Sequence, residues 1–159
     1  MKPIQFILAT LVLACGVSAA RPMIKPAGYQ VDTVNIPKEI TLGVGGMAFL
    51  DRTTMLICTR EGEVWKFNTD NGKWDLYADG LHESLGLWVD HKKNDVYVMQ
   101  RPELTRLVDT NKDGKADLYE TVNAGWGLTD NYHEYAFGPV RDSKGNFYGT
   151  LNTSLSWPG

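Results

Sequence analysis

The sequence predicts an all-β protein, a β-propeller of four-stranded antiparallel blades, and three observations lead there. Short segments of strand character follow one another with Gly, Asn, Asp or Pro in the gaps, and no stretch carries apolar residues at helical spacing. A sequence unit recurs at a period of about 40–45 residues, which is the length of one propeller blade. The composition is globular: 43% hydrophobic and 22% charged residues in a chain of 159 exclude wholesale disorder and leave room for one domain with a sizeable core.

The elements come in order. Residues 20–29 form a Pro-containing lead-in. Strands are then expected at Gln30–Ile36, Met47–Leu50, Met55–Thr59, Glu63–Phe67, Trp74–Tyr77, Leu85–Val89, Asp95–Gln100, Leu104–Val108, Leu118–Val122, Glu134–Phe137 and Asn146–Leu151. Each is rich in Val, Ile, Thr or aromatic residues, which fit a pleated, half-buried surface.

Internal repetition selects the propeller over a sandwich or barrel. Gly46-Met-Ala-Phe-Leu-Asp51 with Met55-Leu-Ile-Cys-Thr-Arg60 is one unit, and Gly86-Leu-Trp-Val-Asp90 with Asp95-Val-Tyr-Val-Met-Gln-Arg101 is the next. Arg60 and Arg101 hold the same place in the two units, a shift of 41 residues. Tyr135-Ala-Phe-Gly-Pro139 with Gly145-Asn-Phe-Tyr-Gly-Thr-Leu151 opens a third, delayed by an acidic insertion. A blade buries its faces only against its neighbours, and a propeller takes about four to eight of them. With about two and a half blades, residues 30–159 are expected to be the incomplete, N-terminal part of a propeller domain.

Residues 1–19 read as a signal peptide. Lys2 supplies the positive start, Ile4 to Val17 is apolar apart from Gln5 and Thr10, and Val17-Ser18-Ala19 offers the small residues that cleavage needs. The run falls short of the roughly 20 residues that span a bilayer. Val12-Leu13-Ala14-Cys15 loosely matches a lipid-attachment site, but Leu13 fits that pattern poorly, so simple cleavage is favoured. Either route exports the protein, to the periplasm or beyond. The net charge is −3 with no Lys/Arg stripe, which argues against nucleic acid or an anionic membrane as partner. Cys58 lies in an apolar stretch and reads as a small buried residue.

The acidic insertion, Asp109-Thr-Asn-Lys-Asp-Gly-Lys-Ala-Asp-Leu-Tyr-Glu120, fits the twelve-position calcium loop. Side-chain oxygens fall at Asp109, Asn111, Asp113, Asp117 and Glu120, Lys115 offers its carbonyl, and Gly114 sits at the sharp turn. Calcium wants several hard oxygens around one centre, and alternate residues of a tight loop supply them. A polar Asp-Gly hairpin turn with solvated charges would explain Asp113-Gly114 but not four carboxylates and an Asn in register. Since the flanks look extended, the loop is expected to staple the outer strands of neighbouring blades and not to form a helix–loop–helix.

His82-Glu83 and His133-Glu134 each precede an innermost strand, a place at the mouth of a propeller's channel where ligand sites gather. His133 is a candidate general base and Glu134 a candidate residue to orient it. The plain alternative is that both histidines cap strand starts or bond to backbone. His91, in a polar turn, is expected to be solvated.

Gly46 to Asp51 followed by Leu56 to Trp65, and Ala136-Phe-Gly-Pro139 with Gly145-Asn-Phe-Tyr148, resemble blades of the glucose/sorbosone dehydrogenase-like propellers. That resemblance implies a six-bladed exported quinoprotein that uses calcium and pyrroloquinoline quinone (PQQ) to oxidise a sugar or alcohol. It also implies a cytochrome c domain or protein as electron acceptor, and His133 as the base that draws the hydroxyl proton. His133 lies closer to Phe137-Gly138-Pro139 than the family histidine does to its motif, and no quinone-binding residues are identified in this chain. A second reading is a non-catalytic propeller stapled by calcium that binds a glycan or a protein, with Trp126, Tyr132 and Trp157 as stacking surfaces.

Overall fold

The structure, a computed structural model, describes residues 28–128, 131 and 133–152. The expected signal peptide, Tyr132 and Trp157 lie outside the described residues. Two compact units divide the chain, residues 1–33 and 34–159. In the first, residues 28–33 form no regular structure, and Gln30 Nε2 donates to Asp32 at 2.7 Å.

The second unit is all-β, with antiparallel sheets and no helix among the described residues. Its strands are β1 (Val44–Phe49), β2 (Thr54–Thr59), β3 (Val64–Asn68), β4 (Trp74–Ala78), β5 (Leu87–Asp90), β6 (Asp95–Met99), β7 (Leu104–Val108), β8 (Leu118–Asn123), β9 (Tyr135–Arg141) and β10 (Phe147–Asn152). They form a four-stranded sheet β1-β2-β3-β4, a second four-stranded sheet β5-β6-β7-β8, and a pair β9-β10, each ordered as in the chain. The strand expected at Gln30–Ile36 is not formed. Val31, Val34 and Ile36 are each more than 40% exposed, so this β-rich composition has no face to bury and no ladder to join.

Strand alternation decides which side chains meet. In β6, Val96 and Val98 point one way while Tyr97 and Met99 point the other, so the strand is buried on both faces. Leu56, Cys58 and Val64 of the first sheet pack on Leu87, Val89, Val96, Val98 and Leu107 of the second. The opposite face of the second sheet, with Tyr97, Met99 and Leu104, packs on Ala136 of the third together with Trp88 and Phe147. Cys58 is fully buried with its thiol 3.6 Å from the Ser84 carbonyl oxygen, and burial pushes its pKa up to about 11. The thiol is inert, as a small core residue would be.

The innermost strands approach closely through glycine. A Cβ on Gly46 would lie 2.6 Å from Gly86 Cα, and one on Gly86 would overlap the carbonyl oxygen of Gly138. Gly86 also holds φ at 153°, outside the range side chains favour. Each sheet thus meets the next backbone to backbone at its inner edge.

A guanidinium locks the second junction. Arg141 of β9 lies 5.2 Å from the Trp88 ring centroid, 5.9 Å from Tyr97 and 4.9 Å from Phe147, and its Nη1 is 3.1 Å from Asp90 Oδ2. The hairpin that follows it turns on Asp142. That carboxylate accepts from Asn146 Nδ2 at 2.9 Å, Asn146 N at 2.8 Å, Tyr148 Oη at 3.0 Å and Lys144 N at 2.9 Å. These donors, the Asn146 amide foremost, favour the ionised form and pull its pKa down to about 2.

Two predictions follow from this packing. Gly86→Ala should destabilise the fold by about 3 kcal/mol or more, because backbone has to move to admit the methyl group. Gly72→Ala, at φ 73° with open space around it, should cost about 1–2 kcal/mol of left-handed strain alone. Urea denaturation midpoints compare the two, and equal losses would contradict the close approach. For Asp142, carboxyl-carbon NMR should show a titration midpoint near 2. Its depressed pKa means that its stabilising contribution is present above the ordinary carboxyl range and is lost as pH falls through about 2.

Candidate functional site

The sequence repeat places like residues at one end of the inner strands. Arg60 follows β2 and Arg101 follows β6, while His82-Glu83 and His133-Glu134 precede β5 and β9. The entry to β5 lies beside the exit from β6, since Leu85 N donates to Met99 O at 3.0 Å and Arg101 N to His82 O at 2.9 Å. That pairing brings Glu83 to Arg101. Glu83 itself holds φ at 49°, a left-handed backbone that is uncommon for a side-chain-bearing residue.

Glu83 ties three sheets together. Its Oε2 is 3.1 Å from Arg101 Nη1, and its Oε1 is 3.2 Å from Arg60 Nη2. Arg60 Nη2 also donates to the Tyr135 hydroxyl at 2.8 Å, with its guanidinium carbon 5.3 Å from that ring's centroid. The pairs differ in weight. The Arg60 side chain is 55% exposed, so its ion pair with Glu83 contributes little, whereas those of Arg101 and Glu83 are 11% and 20% exposed. His82 Nε2 lies 3.9 Å from Glu83 Oε2 at the exposed rim.

Beside this network opens a small pocket of about 70 Å³, partly open to solvent. Arg101, Trp126, Leu128, Glu134, Tyr135 and Leu151 form most of its wall. Trp126 is oriented by its indole N–H, which donates to the Arg101 carbonyl at 3.0 Å. Arg101 also donates to the carbonyl of Asn131. Trp126, Tyr135, Arg101 and Glu134 thus line one cavity.

Of the two residues read as a base and its partner, Glu134 lines this pocket. His133 is exposed, with its N–H donating to Asn131 Oδ1 at 3.1 Å and its carbonyl accepting from Asn152 Nδ2 at 3.1 Å. Trp126 was singled out as a stacking surface and forms part of the wall. Arg101, Leu128, Tyr135 and Leu151 were not read as site residues. The 41-residue recurrence of Arg60 at Arg101 was the available signal.

The acidic loop reaches the first sheet. Ala116 N donates to Tyr77 O at 2.8 Å, and the Lys66 ammonium donates to the Gly114 carbonyl. Within the loop, Asp109 accepts from Gly114 N at 2.8 Å and Asp113 N at 3.2 Å, Asn111 from Asp113 N at 2.9 Å, and Asp113 from Lys115 N at 2.8 Å. Asp109, Asn111 and Asp113 therefore share one turn. Asp117 is held by Thr110 N at 3.0 Å and Thr110 Oγ1 at 2.8 Å, which keep its pKa low. Glu120 stands on β8 opposite Arg106 and pairs with it. Among the described residues no three His, Cys, Asp or Glu side chains are gathered as a metal-binding group.

No family model matches the sequence. The chain is similar to the glycine betaine-binding periplasmic protein OusX of Dickeya dadantii (strain 3937), 30% identical over 145 residues that cover 81% of this chain and 42% of that protein. It is also similar to the glycine betaine/proline betaine-binding periplasmic protein of Escherichia coli (strain K12), 28% identical over 140 residues that cover 78% of this chain and 42% of that protein. The chain thus spans about two fifths of the length of these curated relatives. Their compartment agrees with the leader read at residues 1–19, and the protein is exported to the periplasm.

These relatives overturn the dehydrogenase reading. Both are named for binding a solute, so the resemblance to glucose/sorbosone dehydrogenase-like propellers, the PQQ cofactor and quinoprotein oxidoreductase chemistry are corrected. A sugar or alcohol substrate and a cytochrome c acceptor lose their support with them. The structure explains why the motifs misled. Gly46 and Gly138 are where inner strands touch, and Gly145-Asn146 closes the β9–β10 hairpin around Asp142. Those residues answer to strand packing and turn geometry, which unrelated β-sheets share, and carry no information about chemistry.

Proposed function

We propose that this chain is part of a periplasmic binding protein that takes a small solute with a quaternary ammonium head and a carboxylate, of the betaine class, without chemical change. The observation that carries the reading is the pocket of Trp126, Tyr135, Glu134 and Arg101. A quaternary ammonium group has no N–H to donate, so it is recognised by aromatic faces and nearby negative charge. Trp126 and Tyr135 supply the faces, and Glu134 supplies the charge. Arg101 supplies the cation that a solute carboxylate requires. The relatives' names point to the same class of solute.

The sheets fit a propeller, and we propose that architecture too. Two four-stranded antiparallel sheets and a strand pair stack face to face in chain order, with glycine contacts between inner strands and a 41-residue recurrence. A propeller of about four to eight blades would need further sheets beside these.

Calcium enters as a separate, structural proposal. Asp109, Asn111, Asp113 and the Lys115 carbonyl are the groups that would hold it. Asp117 and Glu120 would join only by leaving Thr110 and Arg106. Its role would be to reinforce the loop's attachment to the first sheet.

Calorimetric titration of the full-length protein with glycine betaine should show saturable binding, with a change in tryptophan fluorescence. Trp126→Ala should weaken it about tenfold, the scale of a desolvated cation–π contact. Absence of heat and of any fluorescence change in the wild type would sink the binding reading. For the loop, excess chelator should lower the melting temperature by several degrees and calcium should restore it. An unchanged melt together with no calcium heat would remove the metal.

A further inference from the structure

Each sheet has a leading face, turned toward the sheet before it in the chain, and a trailing face, turned toward the sheet after. The trailing face of the first sheet, with Leu56, Cys58 and Val64, packs on the leading face of the second, with Leu87, Val89 and Val96. The trailing face of the second, with Tyr97 and Met99, packs on Ala136 and Phe147 of the third. Three sheets make two such junctions. Among the described residues, no sheet lies on the leading face of the first or on the trailing face of the third.

The sequence repeat identifies what these two faces carry. Met47 and Phe49 follow Gly46 as Leu87 and Val89 follow Gly86. Leu87 and Val89 are buried against the first sheet, whereas Met47 and Phe49 are 61% and 49% exposed. At the other end, Tyr148 follows Phe147 as Tyr97 follows Val96. Tyr148 shares its face with Val140, its cross-strand partner, and with Phe137. Tyr97 is buried, but Val140 and Tyr148 are 62% and 54% exposed. Both patches belong to inner strands. On the outer half of the first sheet's leading face, Phe67 packs on Trp74, whose indole N–H donates to the Asn35 carbonyl at 3.1 Å. The open part is therefore the inner half, which matches the inner pair β9-β10.

We propose that a second copy of this chain covers these faces, head to tail, with Phe137, Val140 and Tyr148 of one copy on Met47 and Phe49 of the other. The occupant follows from the two internal junctions: each joins a trailing face to a leading face, and the chain leaves one of each kind open. The inference rests on the propeller architecture proposed above and says where the further sheets come from. Two copies of three sheets joined at both ends close a ring of six, within the range of about four to eight. Such a contact uses a different patch on each partner, and closing the ring removes every copy of both patches from water.

Sedimentation equilibrium of the full chain should show a concentration-dependent dimer. Met47→Asp and Val140→Asp, each at an exposed position, should be monomeric alone where the wild type is dimeric. Mixed in equal amounts they should associate, because one keeps its trailing face and the other its leading face. One junction then replaces two, so the mixture should need at least about tenfold more protein. Circular dichroism checks folding, and Met47→Ser or Val140→Ser takes the place of an aspartate variant that does not fold. Recovery in the mixture supports the head-to-tail junction. Dimerisation of either variant alone as in the wild type, or a mixture that stays monomeric at every concentration, overturns it. A wild type that is monomeric up to about 1 mM overturns the second copy as occupant. Peroxide then separates this failure from that of the architecture: a protected Met47 means that the same molecule covers the face and the propeller stands, while a readily oxidised Met47 removes the propeller too.

Discussion

Where Gly86 meets the carbonyl of Gly138, two strands from different sheets run closer than any side chain would allow. Gly46 against Gly86 repeats the arrangement one sheet earlier. Everything outward of that contact can be filled by ordinary residues, because sheets that touch at one edge diverge across their width. Leu56, Val64, Val96, Val98 and Leu107 occupy the space between the first two sheets, each nearly or wholly inaccessible. Burying side chains of this size stabilises the fold by about 1.5–3 kcal/mol apiece, provided the sheets are held at the right spacing. The glycines set that spacing at the inner edge.

The same geometry explains why polar residues collect at one end. Inner strands that touch leave no room for large side chains between them, so Arg60, Glu83, Arg101 and Tyr135 stand at the strand ends. There, charges from three sheets come within bonding distance without the full cost of burial. The pocket beside them takes its walls from the exit of β6, the segment after β8, the start of β9 and the end of β10. No single segment contains the site.

That dispersal set the limit on what the sequence made legible. Strands from β1 to β10 were readable, since each is a short β-branched or aromatic run bounded by turn residues, and local chemistry decides such runs. Gln30–Ile36 has the same composition and forms no strand, because pairing depends on a neighbour that composition does not reveal. The His-Glu pairs and recurring arginines could be placed at one end, but their bonding partners could not. Glu83 meets Arg101 through the β5–β6 entry bonds, which are properties of the fold. In the acidic loop, spacing picked out Asp109, Asn111, Asp113, Asp117 and Glu120 but not Thr110. It could not show that β7–β8 register sets Glu120 opposite Arg106, or that Asp117 turns to Thr110. The dehydrogenase resemblance failed for a related reason: its residues encode how strands touch and turn.

Arg141 carries a consequence for how such a molecule comes apart. Its guanidinium sits among Trp88, Tyr97 and Phe147 with Asp90 as counter-charge, so the second and third sheets are joined by the same chemical group that makes guanidinium chloride a denaturant. A dissolved guanidinium ion competes for those rings and that carboxylate, and its chloride salt screens the ion pair as well. Urea does neither. Against guanidinium the β9–β10 pair is therefore the exposed flank, loosening ahead of the two larger sheets, whereas urea meets a junction whose ionic clasp is intact. Trp88 stands inside the clasp, so its fluorescence, isolated by replacing the other four tryptophans, reports the release, and the disparity between the two denaturants measures how far this junction is electrostatic and how far it is merely packed.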